Sequence, residues 1–278
     1  MVASRTASRL DSLSSRPIVV VTHKRSGTHL TLDLLRRHFR ECDAWKWWGE
    51  NESRLYLSLP SLFDPTELVA ISERRAVNVL SRCPRPTVKT HRFLEQLPTA
   101  ETTGDGRLGR YWVDWLHARG RQLYVYRDGR DVLCSLQLLE AKRDRCRWLP
   151  ISEFIRQRTA DGVPRAQAWA RHVERGLAQP AIVPLRFEDL KESTRPCLDR
   201  LARQLELTAE YKEPLLPSKL RISLRSRLAR RLARRPQSTA ILGRPRGLEL
   251  VRWRQAFSRE DREFFHRAAG DTLIRLGY

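Results

Sequence analysis

Lys24, Arg25, Ser26 and Gly27 form one short run between an apolar stretch and a helix-like one, a placement that suits an anion. Ile18 to Val21 has the pattern of a buried strand, and from Thr28 onward Leu30, Leu32, Leu34 and Leu35 fall at helical spacing. Strand, loop and helix start bring free backbone N–H groups and the positive end of a helix dipole to one point. Gly27 lets the backbone approach closely, while Lys24 and Arg25 add fixed positive charge. The run therefore reads as a candidate phosphate-binding loop. It is not the loop of the nucleotide triphosphatases, which needs Gly-Lys-Ser/Thr, because Thr28 follows Gly27 here.

Two further segments carry chemistry. In VKTHRF, residues 88 to 93, Lys89 and His91 flank Thr90 at the end of an apolar run. This sets a titratable imidazole beside a positive charge, and histidine is the side chain best suited to take a proton near neutral pH. Taken singly, His91 also reads as a surface histidine in a turn. In LYVYRDGRDVLCSLQLL, residues 123 to 139, Arg127 ends a strand pattern and Ser135 follows one to two helical turns later. Arginine offers a planar fork for phosphate oxygens, and a serine hydroxyl adds a donor. The plainer reading pairs Arg127 locally with Asp131, which then assists the start of the helix.

The elements that must position these residues alternate along the chain. Strands are expected at Ile18–Val21, within Pro86–Thr90, at Gln122–Tyr126 and at Ala181–Phe187; helices are expected at Thr28–Phe39, Asp131–Leu139 and Ser193–Leu205. Strands joined by helical crossovers predict an α/β chain, a three-layer P-loop-type fold with a central parallel sheet flanked by helices. Ligands of such sheets sit beyond the carboxyl ends of the strands. The run Lys24–Gly27, His91 and Arg127 each follow a predicted strand directly, so all three should meet at one crevice.

Composition sets the outer limits. The chain has 278 residues, 41% hydrophobic and 31% charged, as expected of one globular domain with a substantial core. Residues 1–16 read as a flexible tail and 17–278 as a single domain. No apolar run approaches the length of a bilayer span. Five scattered cysteines, odd in number and without metal-ligand spacing, fit free thiols in a reducing cytoplasm. The net charge of +21 calls for anionic partners. Lys219–Arg235, KLRISLRSRLARRLARR, is basic throughout, with Leu224, Leu228 and Leu232 every four residues. Such a helix suits the surface of an anionic membrane, a cover over the cleft within 219–243, or a solvated helix packing one leucine stripe on the body.

Taken together, these segments resemble the sulfotransferases that use 3′-phosphoadenosine 5′-phosphosulfate (PAPS). Arg25-Ser26-Gly27-Thr28 is similar to that family's phosphosulfate loop, and Lys89-Thr90-His91 to its Lys-Thr-His segment. Arg127, Asp131 and Ser135 match its Arg-x-x-x-Asp-x-x-x-Ser, and Arg186-Phe187-Glu188-Asp189-Leu190 its Tyr/Phe-Glu-Asp-Leu. Arg244-Pro245-Arg246-Gly247 with Trp253-Arg254 looks like its C-terminal loop, one residue off in spacing. The resemblance spans residue 17 to about residue 265.

It implies a parallel-sheet P-loop fold with PAPS as co-substrate and no metal. Lys24, Arg25, Ser26, Gly27, Thr28 and His29 would hold the 5′-phosphosulfate, with Arg25 purely electrostatic because arginine does not give up its proton. Arg127 and Ser135, with Arg246 and Gly247, would hold the 3′-phosphate, and Phe187 would give an apolar ring contact. His91 would be the general base and Lys89 would orient the sulfuryl group, while Glu188 and Asp189 read as structural. Leu30 stands where cytosolic members commonly have a tryptophan stacked on adenine. Arg254, Ser258 and Glu263 are similar to a short dimer motif of those members, except for Arg259 where an apolar residue is expected.

The acceptor implied is a small molecule, glycan or glycolipid, not nucleic acid. Trp45, Trp47 and Trp48 suit stacking on a sugar or an aromatic ring, and equally suit packing. Glu50 or Glu52 is an alternative base. Two other readings remain open from sequence: a P-loop small-molecule kinase, which shares the fold but lacks the lysine loop, and a non-catalytic basic module for nucleic acid or membrane. The chain is expected to be cytoplasmic, with peripheral membrane contact through 219–235.

Overall fold

The computed structural model describes residues 13–44, 55–59, 69–97, 106–143, 148–216 and 252–278. Its centre is β1 (Ile18–Thr22), five β-branched residues that are all buried. Branching at Cβ favours extended backbone, and burial of both faces marks an interior strand of a parallel sheet. β1 pairs in parallel with β3 (Thr87–Thr90) on one side and β4 (Arg121–Tyr126) on the other. β2 (Leu57–Ser58) lies outside β3 and β5 (Ile182–Arg186) outside β4, giving the order β2-β3-β1-β4-β5, all parallel. Register aligns the exits: Val21 is opposite Thr90 and Thr22 opposite Val125, so the loops after β1, β3 and β4 leave the sheet at one level.

Alternation along β1 divides the core into two layers. Ile18 and Val20, with Leu123, Val125 and Leu185, pack against α1 (Thr28–His38) and, after β5 and the short α7 (Asp189–Glu192), against α8 (Thr194–Leu205). Val19 and Val21, with Val88 and Tyr124, face the other layer. That layer holds α2 (Val69–Leu80), α3 (Gly106–Arg119), α4 (Gly129–Arg143), α5 (Ile151–Arg156), α6 (Arg165–Leu177) and α10 (Arg259–Arg275), the last preceded by α9 (Trp253–Ala256). The fold is thus the expected three-layer arrangement around a parallel sheet.

Several boundaries differ from the sequence expectation for identifiable reasons. α1 stops at His38, because Phe39 turns extended and bridges to Ala209. α4 begins at Gly129, two residues before the expected Asp131, with the carbonyl of Asp128 accepting from Val132 in its first turn. The tail expected over 1–16 does not extend to its last residues: Ser15 is buried and the amide of Arg16 donates to the carbonyl of Pro84 at 2.9 Å. Cys42, Cys83, Cys134 and Cys197 are buried and unpaired, and burial pushes each thiol up. Among the described residues no helix is long and apolar enough to cross a membrane. The basic run 219–235, the run 244–247, the three tryptophans at 45–48, Glu50 and Glu52 lie outside the described residues.

Candidate active site

The loop after β1 turns tightly because two of its residues take left-handed backbone. Arg25 has φ 75° and Gly27 φ 107°. At Gly27 a side chain is excluded twice over: a Cβ there would stand 2.2 Å from the Phe187 ring. The loop therefore lies directly on the residue that follows β5. Gly27 is also the N-cap of α1, and no side chain caps that helix or puts an acid in its first turn. The Ser26 hydroxyl is buried and has no hydrogen-bond partner. An uncapped helix start beside an orphaned buried hydroxyl is a cradle of donors that fits an oxyanion.

Among the described residues, other predicted ones approach this loop from both sides. From β3, the His91 ring reaches back to the last residue of β1. Its Nδ1 lies 3.1 Å from the Thr22 carbonyl and 3.0 Å from Thr22 Oγ1, which in turn lies 2.7 Å from Thr28 Oγ1. A carbonyl only accepts, so Nδ1 carries the hydrogen and Nε2 keeps its lone pair. Burial, then Lys89, pushes the His91 imidazole down to about 4, with the Thr22 hydrogen bond acting the other way. The ring is a neutral base over the whole physiological range.

From α4, Ser135 Oγ accepts a hydrogen bond from Arg25 Nε at 2.9 Å, tying the loop to the helix after β4. Arg127, at the end of β4, is buried with its guanidinium 4.7 Å from the centre of the Phe187 ring and 3.4 Å from Asp131. Phe187 thus stands between Gly27 and Arg127 and is itself buried, so its ring packs on the chain's own elements. Glu188 accepts from the amide of Asp128 at 3.2 Å and from the Tyr278 hydroxyl at 2.6 Å. Asp189 pairs with Arg200 at 3.0 Å. Both acids fix the turns around the site.

On the opposite flank, the ammonium of Lys89 lies 5.2 Å over the Tyr56 ring, and the His29 ring meets Tyr56 edge-on at 5.7 Å. Leu30, by contrast, is buried in the core layer that holds Ile18 and Val20. Lys24 is exposed.

Two residues at this site escaped the sequence reading. His172 of α6 lies with Nε2 3.3 Å from the His91 carbonyl and Nδ1 2.8 Å from the Tyr124 hydroxyl, and its ring meets His23 edge-on at 5.3 Å. Gly176 makes room for this, since a Cβ there would sit 2.4 Å from the Tyr124 ring. Burial pushes His172 down to about 4, and burial followed by His172 pushes His23 down to about 3. His29 is also held at about 3, by burial and then Lys89. Four neutral imidazoles therefore surround one cationic loop. Nothing in local spacing announces His172, although Tyr124 in the predicted strand is a buried hydroxyl that must find a partner. Among the described residues there is no group of three or more histidines, cysteines and acids able to hold a metal ion.

No family model matches the chain, and no curated protein matches it. Solved structures do. Mouse sulfotransferase SULT7A1 complexed with PAP is 17% identical over 97% of this chain and 88% of its own, with a TM-score of 0.51. A retinol dehydratase in complex with androsterone and the inactive cofactor PAP is 17% identical over 98% of this chain and 85% of its own, at 0.51. Sulfotransferase STF9 from Mycobacterium avium is 12% identical over 99% of this chain and 80% of its own, at 0.50. At such identities the likeness is one of architecture. The likeness extends over nearly the whole of this chain, and the protein has the sulfotransferase fold, built here on a five-stranded parallel sheet.

Proposed function

We propose that this protein is a PAPS-dependent sulfotransferase that moves a sulfuryl group in line to a hydroxyl or amine acceptor, with His91 as general base. The observation that carries the proposal is the hydrogen bond from His91 Nδ1 to the Thr22 carbonyl. It holds an unprotonated imidazole nitrogen against the strand end from which the anion loop springs. The residues present fit the co-substrate: the loop supplies a buried hydroxyl without a partner, uncapped helix amides and Arg25, which already bridges to Ser135. Two proteins of the same fold were solved with PAP bound.

In this reading Lys24 to His29 hold the 5′-phosphosulfate, and Arg127 and Ser135, with Arg246 and Gly247, hold the 3′-phosphate. The acceptor oxygen attacks sulfur while its proton passes to His91 Nε2. The bond from sulfur to the bridging oxygen breaks, and its electron pair leaves on the 5′-phosphate. Arg25 and the dipole of α1 meet that growing negative charge. A positioned base contributes on the order of 10²–10⁴ in rate, and orientation of the two reactants contributes the larger share. Lys89 orients the transferred group. The acceptor is a small molecule, glycan or glycolipid, and contact with an anionic membrane through 219–235 belongs to the same reading. The protein is cytoplasmic in this account.

A melting assay with adenosine 3′,5′-bisphosphate, AMP and ATP tests the assignment. The bisphosphate should raise the melting temperature most. A shift no greater than that from AMP removes Arg127 and Ser135 as a 3′-phosphate site. Magnesium-dependent turnover of ATP would point instead to a kinase, and salt-sensitive polyanion binding indifferent to His91 to a basic binding module.

A further inference from the structure

We infer that His172 of α6 is a positioning residue that aims the proposed base, because its ring holds the backbone of His91 while Thr22 holds the His91 ring. The inference rests on the role given above to His91 and deepens it. His91 lies one residue beyond β3, where the ladder with β1 has ended. Its carbonyl accepts from His172 Nε2 at 3.3 Å, so Nε2 carries the hydrogen and His172 Nδ1 keeps its lone pair. That nitrogen accepts in turn from the Tyr124 hydroxyl at 2.8 Å; the same hydroxyl lies 3.1 Å from the His172 carbonyl, the longer of the two contacts. The donors thus point one way along a chain of three bonds. Tyr124 donates to His172 Nδ1, His172 Nε2 to the His91 carbonyl, and His91 Nδ1 to the Thr22 carbonyl. The far nitrogen of His91 is left as the acceptor.

The rest of α6 grips the same segment. Arg175, on the same helix face as His172, pairs with Glu95 at 3.0 Å, and Gln179, just past the helix, donates to Glu95 at 3.1 Å. Between these ends the buried Phe93 ring lies 4.8 Å from the His172 ring and 6.0 Å from that of Tyr124. Residues 91–95 are therefore clamped to α6 at both ends, with His172 as the clamp at the base. A proton acceptor acts through its distance and angle to the reacting group, and a misplacement of about 1 Å costs on the order of 10² in rate. Among the described residues the hydrogen bonds of His172 go to His91 and Tyr124, not to the anion loop. Its loss should therefore slow turnover and leave nucleotide binding in place.

Glutamine and asparagine separate this role from packing. The amide nitrogen of glutamine can stand where Nε2 stands and keep the donor to the His91 carbonyl, whereas asparagine reaches only as far as Nδ1. In proton–nitrogen correlation spectra of the imidazoles, taken on the full chain with adenosine 3′,5′-bisphosphate, His91 should carry its hydrogen on Nδ1 in the wild type and in His172→Gln. In His172→Asn it should shift toward the Nε2–H form. With 4-nitrophenol as acceptor, His172→Asn should lower kcat about tenfold with KM for PAPS within about twofold, and His172→Gln should stay within about threefold of the wild type. The spectra need no acceptor and decide the matter where 4-nitrophenol is not turned over. Tyr124→Phe, which keeps the ring and removes the hydroxyl that orients His172, should shift His91 in the same direction and serves as the test if the asparagine variant fails to fold. A His91 ring that keeps its hydrogen on Nδ1 in the folded variant overturns the inference, and so does an equal loss of kcat in the asparagine and glutamine variants. A wild-type His91 with its hydrogen on Nε2, or a His91→Ala protein that transfers as fast as the wild type, removes the base and this inference with it. An inactive His91→Ala beside a His172→Asn of wild-type kcat overturns the inference alone.

Discussion

The His91 ring is held from one nitrogen and offered from the other, and that asymmetry makes its role testable. His91→Ala should leave adenosine 3′,5′-bisphosphate binding within about twofold and lower kcat by about 10² or more, measured by sulfate transfer to any acceptor found. An unchanged kcat removes His91 as the base. Gly27→Ala should instead destroy binding, since a methyl group at φ 107° is strained and meets the Phe187 ring. A folded Gly27→Ala protein with normal nucleotide affinity would contradict the loop's close contact with β5. His91 and Gly27 were legible in sequence because each sits next to a motif partner. His172 was not: its partners, His91, Tyr124 and His23, lie 81, 48 and 149 positions away in the chain, so only folding brings them together. The sequence reading expected Phe187 to give an apolar ring contact, but its buried place between Gly27 and Arg127 came from packing that no local pattern encodes.

The strands that carry the site were the easiest elements to read, because a central parallel strand is apolar on both faces and leaves an unbroken run such as IVVVT. The two-residue β2 and the helices α3, α5 and α10 left weaker signals. α10 mixes buried Phe265, Ala269 and Leu273 with charges at most other positions, so its apolar stripe is narrow. The first crossover is the element on which the anion loop depends. Leu32 of α1 is fully buried against the layer formed by Ile18, Val20 and α8. Leu32→Ala should destabilise the protein by about 2–5 kcal/mol, read by denaturant unfolding, and should loosen nucleotide binding with it. A loss below about 0.5 kcal/mol would mean that α1 is not anchored through this face.

At the level of the whole molecule the four lowered imidazoles act together. His23, His29, His91 and His172 are neutral in the fold down to about 3–4, whereas in the unfolded chain each takes a proton near the ordinary histidine value of about 6.5. Below that value the unfolded state binds more protons than the native one, so stability is complete above it and falls as pH drops toward 4. Thermal melts between about pH 7 and pH 4.5 should show a progressive fall, less steep in a His172→Asn variant; a flat profile would contradict the burial of the cluster. A bound polyanion lowers the cost of charging these rings, so the bisphosphate should bind with net proton uptake near pH 5, detected by titration calorimetry in buffers of different ionisation enthalpy.

Because the anion loop hangs from the middle strand, its two neighbours serve separate masters. Arg127 and Ser135 arrive from the β4 side, His91 and Lys89 from the β3 side. Under the proposed function, the β2–β3 half can therefore be rewritten for a new acceptor while the β4–β5 half, which that proposal assigns to the donor, stays untouched. Chimeras cut along β1 are the natural way to exploit that independence.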